Sequence, residues 1–245
     1  MLHVLTAVGL NDIRNIRRDS LLVYAVTVPW LLVLLVRLLV PSITTWLAER
    51  YAFDLEPYYA LILSFFFILE IPLIFGVVMG LLLLDERDDN TLTALRVTPL
   101  SLEGYLAYRV GMAVLFSVVY ILAMLPLTGL LDLALMPAII PIALVGGMIA
   151  PLLTMFLAAF AGNKLEGLAL MKGFGILMLG PLAAFFIESR WQVLFGILPS
   201  YWPARAFWTA WEGGVFWPFL LAGVVYMAVL LGWFLRRFQA RVARS

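Results

Sequence analysis

Six unbroken apolar stretches constrain this chain more than anything else in it: residues 21–40, 58–84, 105–131, 136–161, 168–187 and 216–235. A helix needs about 20 such residues to cross about 30 Å of hydrocarbon. A backbone N–H or C=O left bare in that medium is strongly unfavourable, so each stretch is expected to satisfy its own backbone as a helix. The short alternating segments that mark a membrane barrel are absent. Composition points the same way: 64% of residues are hydrophobic and 13% charged, with a mean hydropathy of +1.06. Soluble domains run at about 45–50% and about 25%, and a core of 245 residues could not hide the difference. The first stretch is too long for a cleavable signal and lacks a small-residue cleavage site, so it is expected to stay as an anchor. The fold class expected is an all-α membrane protein with six transmembrane helices, forming a single unit over 1–245. No composition shift or internal repeat divides it.

Lysine and arginine are distributed unevenly between the connections. Twelve fall on one side: Arg14, Arg17, Arg18, Arg87, Arg96, Arg109, Lys164, Lys172, Arg236, Arg237, Arg241 and Arg244. Four fall on the other: Arg37 near the end of the first stretch, then Arg50, Arg190 and Arg205. Positive charge gathers on the cytoplasmic side of membrane helices, which places both termini in the cytoplasm.

Three connections have a character of their own. Residues 1–20 put Leu2, Leu5, Leu10, Ile13 and Ile16 on one helical face and their arginines mostly on the other, the pattern of a helix lying in the membrane interface. Residues 85–104 form a long charged cytoplasmic loop. There Asn90 and Thr91 can cap a short helix, Leu92 and Leu95 give it an apolar side, and Pro99 ends it. A second helix start follows at Ser101. The outer segment 188–215 carries Trp191, Trp202, Trp208 and Trp211 with Pro199 and Pro203, so short broken helices half-embedded in the outer interface are expected.

The residue inventory excludes most catalysis. The chain has no cysteine and a single histidine, His3, so thiol chemistry, disulfides and two-imidazole metal sites are out. Neither Lys164 nor Lys172 follows a glycine, so the Gly-Lys phosphate loop of ATPases is missing. No Gly-x-Ser-x-Gly elbow occurs. The chain is expected to be no enzyme. Glu70 stands out because it lies mid-way along the second stretch, in Phe67-Ile-Leu-Glu-Ile-Pro72. An ionisable group at that depth costs about 2.5–3.5 kcal/mol on insertion scales. It is either a polar point on a substrate pathway or a hydrogen-bonded packing residue. Gly76, Gly80, Gly111, Gly146 and Gly147 are small enough to let helices approach closely.

The run Leu84-Asp-Glu-Arg-Asp-Asp-Asn-Thr-Leu92, followed by Leu95-Arg-Val-Thr-Pro-Leu-Ser101, resembles the type-2 permeases of ATP-binding-cassette exporters. In that family an acidic-basic pair precedes Thr-Leu and a Leu-x-x-Thr-Pro-Leu-Ser stretch. The layout is similar as well, and Pro199-Ser-Tyr-Trp202 with Arg205-Ala206 looks like the family's sequence before its last span. The resemblance implies a dimer, expected as a homodimer, around a central pathway in a bacterial or archaeal cell membrane. It also implies a separate ATP-binding subunit docked beneath, so this chain itself needs no cofactor. Carried over, Glu86, Arg87, Thr91, Leu92, Leu95, Thr98 and Pro99 would form the coupling element, with Glu70 on the pathway. Small outer loops and abundant Leu, Phe and Met resemble the drug-export group, fluoroquinolone exporters included. Two other readings stand beside this one: a proton-coupled secondary transporter titrating Glu70, and a non-transporting scaffold or sensor subunit. The first would normally show two related halves, which are not found.

Overall fold

The computed structural model describes residues 20–89, 102–187 and 189–242. The segment expected to form an interfacial helix lies outside them, apart from Ser20. Among the described residues every regular element is helical, and six spans are long and apolar enough to cross a membrane. Span 1 is α1 (Ser20–Tyr51). Span 2, Glu56–Asp88, opens with a 3-10 turn and continues through α2 (Tyr59–Leu63), a π turn (Ser64–Leu69) and α3 (Glu70–Asp88). Span 3 is α4 (Leu102–Leu127). Span 4 joins α5 (Met136–Gly147) to α6 (Ile149–Phe160). Span 5 joins α7 (Lys164–Met171) to α8 (Gly175–Phe185) through the 3-10 turn Lys172–Phe174. A 3-10 segment (Arg190–Ile197) and α9 (Tyr201–Trp211) precede span 6, α10 (Trp217–Val242).

Span 2 is the hub. Buried residues make up 72% of its most apolar window, against 22–44% in the other five. Its main neighbour is α6, and Gly76 and Gly80 explain how near that neighbour comes. A Cβ on Gly76 would sit 2.6 Å from the Ala150 carbonyl oxygen, and one on Gly80 2.7 Å from Leu157. Thr154 Oγ1 lies 3.0 Å from both the Gly76 and Ala150 carbonyls, so its hydroxyl bonds at the crossing itself. Gly-x-x-x-Gly against small residues is how helices pack when no water is present to drive them together. Gly146 and Gly147 serve the same end, lying against Ile68 and Val118. Gly111, grouped with them by size, instead faces open space.

The π turn has a local cause. Pro72 has no N–H to offer the Ile68 carbonyl, and its ring crowds that oxygen, so the preceding turn widens. Two boundaries differ from the sequence expectation. Span 1 does not stop at residue 40 but continues through Pro41 to Tyr51. Ser42, Thr44 and Thr45 donate their hydroxyls to the Leu38, Val40 and Pro41 carbonyls, which lets this polar stretch stay helical. At the other end of the molecule, Asp85, Glu86, Arg87 and Asp88 belong to the last turns of α3, and Lys164 and Lys172 to span 5, rather than to loops. The helix start expected after Ser101 is present, as α4 begins at Leu102.

Residues 189–215 include two short helices, as the prolines there imply. α9 packs against α5, α10 and the π turn of span 2. Its anchor is Trp208, 1% exposed, whose Nε1 donates to Ser64 Oγ at 2.8 Å.

Candidate functional site

Four consecutive charged residues close α3, and helical geometry turns each by about 100° from the last. They therefore reach different neighbours, while Asp85 and Asp88, three apart, share a face. Asp85 pairs with Lys164 Nζ at 2.6 Å, and Asp88 accepts the Lys164 backbone N–H at 3.0 Å. Glu86 accepts from the Arg109 guanidinium and from the Tyr105 hydroxyl, both on α4. Arg109 Nε in turn donates to the Tyr105 oxygen at 2.8 Å, closing a three-membered network. Arg87 donates to the Ala161 and Gly162 carbonyls just beyond α6, the Ala161 bond at 2.9 Å.

The electrostatics agree with each placement. Arg87 sits where the last carbonyls of α6 leave partial negative charge, and Asp88 sits at the positive N-terminus of α7. Asn163 caps α7 by accepting the Glu166 N–H, and Glu166 reaches back to accept the Gly162 N–H at 2.5 Å. The connection between α6 and α7 is thus held by its own caps and by the end of α3. Among the described residues no cluster of three or more His, Asp or Glu could hold a metal ion. These carboxylates act through ion pairs and caps, tying span 2 to spans 3, 4 and 5 at one end of the bundle.

The expected site residues separate into three groups. Glu86 and Arg87 lie in this cluster. Thr91, Leu92, Leu95, Thr98 and Pro99 fall outside the described residues. Glu70 is in neither group: it lies where the π turn meets α3, half-buried, about 22 Å along the helix from Asp85. The partners Tyr105, Arg109, Asp85, Asp88 and Lys164 were missed. A signal did exist for Arg109, because an arginine inside an apolar stretch must find a counter-charge, and Glu86 is the neighbouring stretch's acidic end.

Residues 12–235 match the family described as Fluoroquinolones export permease protein Rv2686c-like. Two relatives from Mycobacterium tuberculosis resemble the chain across nearly its whole length: fluoroquinolones export permease protein MT2760 of strain CDC 1551 / Oshkosh, and fluoroquinolones export permease protein Rv2686c of strain ATCC 25618 / H37Rv. Each is 41% identical over 242 residues, covering 98% of this chain and 96% of the relative. No solved structure matches.

Proposed function

The chain belongs to this family of export permeases, and from that premise we propose that it is the membrane subunit of an ATP-driven exporter of fluoroquinolone-like, amphipathic aromatic cargo. It works as a dimer of identical permeases with a separate ATPase subunit bound at the end that carries the charged cluster. That end faces the cytoplasm, as do both termini, and the membrane is the cell membrane.

One observation carries the ATPase reading: the last turn of α3 is tied by side chains to spans 3, 4 and 5. The chain leaving it runs directly into Asn90-Thr-Leu92 and on to Pro99 before re-entering at α4. An element rooted in this way cannot be displaced without moving the spans beneath it, which is what conversion of an ATPase stroke requires. Glu86 and Arg87 root the coupling element, while Thr91, Leu92, Leu95, Thr98 and Pro99 form the part the ATPase grips. The dimer reading draws on spans 1, 3, 5 and 6, whose apolar windows are only 22–28% buried, leaving surface for lipid and a second copy. Glu70 contributes polarity to the pathway.

Gentle detergent purification from native membranes tests this. A stoichiometric soluble chain bearing a Gly-Lys phosphate loop should co-purify, and Leu92→Asp should abolish its stimulated ATPase activity while the permease keeps its elution profile. A preparation with no such chain, under conditions that keep other membrane complexes whole, would sink the reading.

A further inference from the structure

At the end of the bundle opposite the charged cluster lies a cavity of about 790 Å³. Drug-sized ligands occupy pockets of about 300–1,000 Å³, so the space suits one. Tyr58 at the start of span 2, Phe185 at the end of span 5, Gln192 of the 3-10 segment and Phe219 of α10 form part of its wall, with Arg190 as an exposed cation at its edge, and one face of α9 forms another part. The lining residues of α9 are Tyr201, Arg205 and Trp208, with Glu212 just past its end. Their spacing of four, three and four residues is one helical face. Arg205 is held at one end with its guanidinium 5.4 Å from the centre of the Phe219 ring. Glu212 is exposed at the other end, about 10 Å further along the helix. Between them sits the Trp208 indole, edge-on to Phe185 at 5.0 Å between ring centres. Among the described residues neither Arg205 nor Glu212 is in an ion pair.

Arg205 and Glu212, opposite charges set apart along one aromatic-lined helix face and in no ion pair among the described residues, select a ligand of complementary layout, with Arg190 adding to the positive side. We propose that this cavity is a cargo-release subsite for planar aromatic zwitterions, with the ligand's carboxylate on Arg205 and its ammonium group on Glu212. Arg205 offers a fork that a carboxylate can accept in two places. The half-buried rings of Tyr58 and Phe185 take the aromatic body by stacking or edge contact. The subsite rests on the export reading above and adds what that reading leaves open: which groups of the cargo are recognised, and where. A zwitterionic phospholipid headgroup carries the same pair of charges, but it has no flat apolar body to fill the space against Phe185 and Tyr58.

The test uses the full-length chain in nanodiscs of phosphatidylglycerol and a fluoroquinolone bearing a free piperazine amine, followed by its own fluorescence anisotropy. Two derivatives serve as controls, one with the carboxylate esterified and one with the amine acetylated. Arg205→Gln should weaken binding of the parent drug by roughly tenfold or more, the loss of a charge-assisted contact, yet leave the ester's affinity as it is in wild type. Glu212→Gln should do the same for the parent drug and spare the acetylated derivative. Glu212 is exposed, so its variant carries the test should Arg205→Gln fail to fold. Unchanged drug affinity in both variants, or equal losses for drug and ester, overturns the subsite. Competition by phosphatidylethanolamine with no discrimination between drug and derivatives assigns the cavity to a headgroup and overturns it too. Drug accumulation in cells separates the two levels. If wild type with its ATPase does not lower accumulation, the export reading itself fails. If it does lower accumulation but the variants bind as wild type, only the subsite fails.

Discussion

Arg109 is 5% exposed, and its charge is tolerable there because Glu86 and Tyr105 meet it. Removing one partner of a buried pair leaves the other charged without compensation and costs about 3–5 kcal/mol. Arg109→Ala should therefore lower stability by about that much, read as a shift in denaturant midpoint of the purified permease. Replacing both partners, as Glu86→Leu with Arg109→Leu, should restore most of the loss, because two apolar side chains need no counter-charge in this setting. The double variant should nevertheless lose ATPase stimulation if the pair roots the coupling element. Stability and coupling thus separate, which a purely structural role for the pair would not allow. Glu70 is the contrasting case. It lies half-buried in span 2, and an ATP-driven cycle does not need its proton. Glu70→Gln should keep transport at the wild-type rate in drug-accumulation assays. Loss of transport, with the protein still folded, would return weight to a proton-coupled mechanism.

The contact between α3 and α6 is decided by the missing side chains of Gly76 and Gly80. A methyl at Gly76 would press on the Ala150 backbone at 2.6–2.8 Å, which cannot swing aside as a side chain can. Gly76→Ala should destabilise by about 1–3 kcal/mol, the usual range for overpacking. Gly111→Ala meets nothing within 4 Å and should be neutral or stabilising by up to about 1 kcal/mol. Parallel thermal unfolding of the two variants would expose any error in this crossing. All five glycines look alike as small residues in apolar stretches, so the sequence could not tell Gly76 from Gly111. That distinction depends on which face meets another helix. The spans themselves were readable because lipid demands long apolar helices whatever their packing. The interior breaks were not read: Pro72 was a signal for the π turn before it, whereas the junction at Met148 sits in uniformly apolar sequence. The end of span 1 was misplaced because the apolar run ends at Val40, yet hydroxyls at positions 42, 44 and 45 carry the helix past Pro41. The cluster at the base of α3 was half-readable. Its acidic-basic character is local, but its partners at Ala161 and Lys164 lie 74 to 79 residues away in the chain.

Span 2 makes side-chain contacts at both ends of the molecule, as span 5 does through Lys164 and Phe185. Tyr58 borders the aromatic cavity, Ser64 holds Trp208 of α9, and Asp85, Glu86, Arg87 and Asp88 bind three other spans. The distance covered is about 45 Å of helix. A tilt imposed at the charged end is therefore conveyed to the cavity wall through one packed rod, with the widened turn before Glu70 as its natural point of bending. This arrangement helps an exporter only if its two ends face opposite sides of the membrane, the charged one inward. The chain contains no cysteine, so single introduced thiols report sidedness without background. Asp89 and Ala134 are both exposed and lie at opposite ends. In cells lacking the ATPase subunit, a membrane-impermeant maleimide should label Ala134→Cys while the cells are intact. It should reach Asp89→Cys only after permeabilisation. The reverse pattern would put the cluster outside, beyond the reach of any cytoplasmic ATPase, and the coupling mechanism would have to be abandoned even though the helical fold would stand.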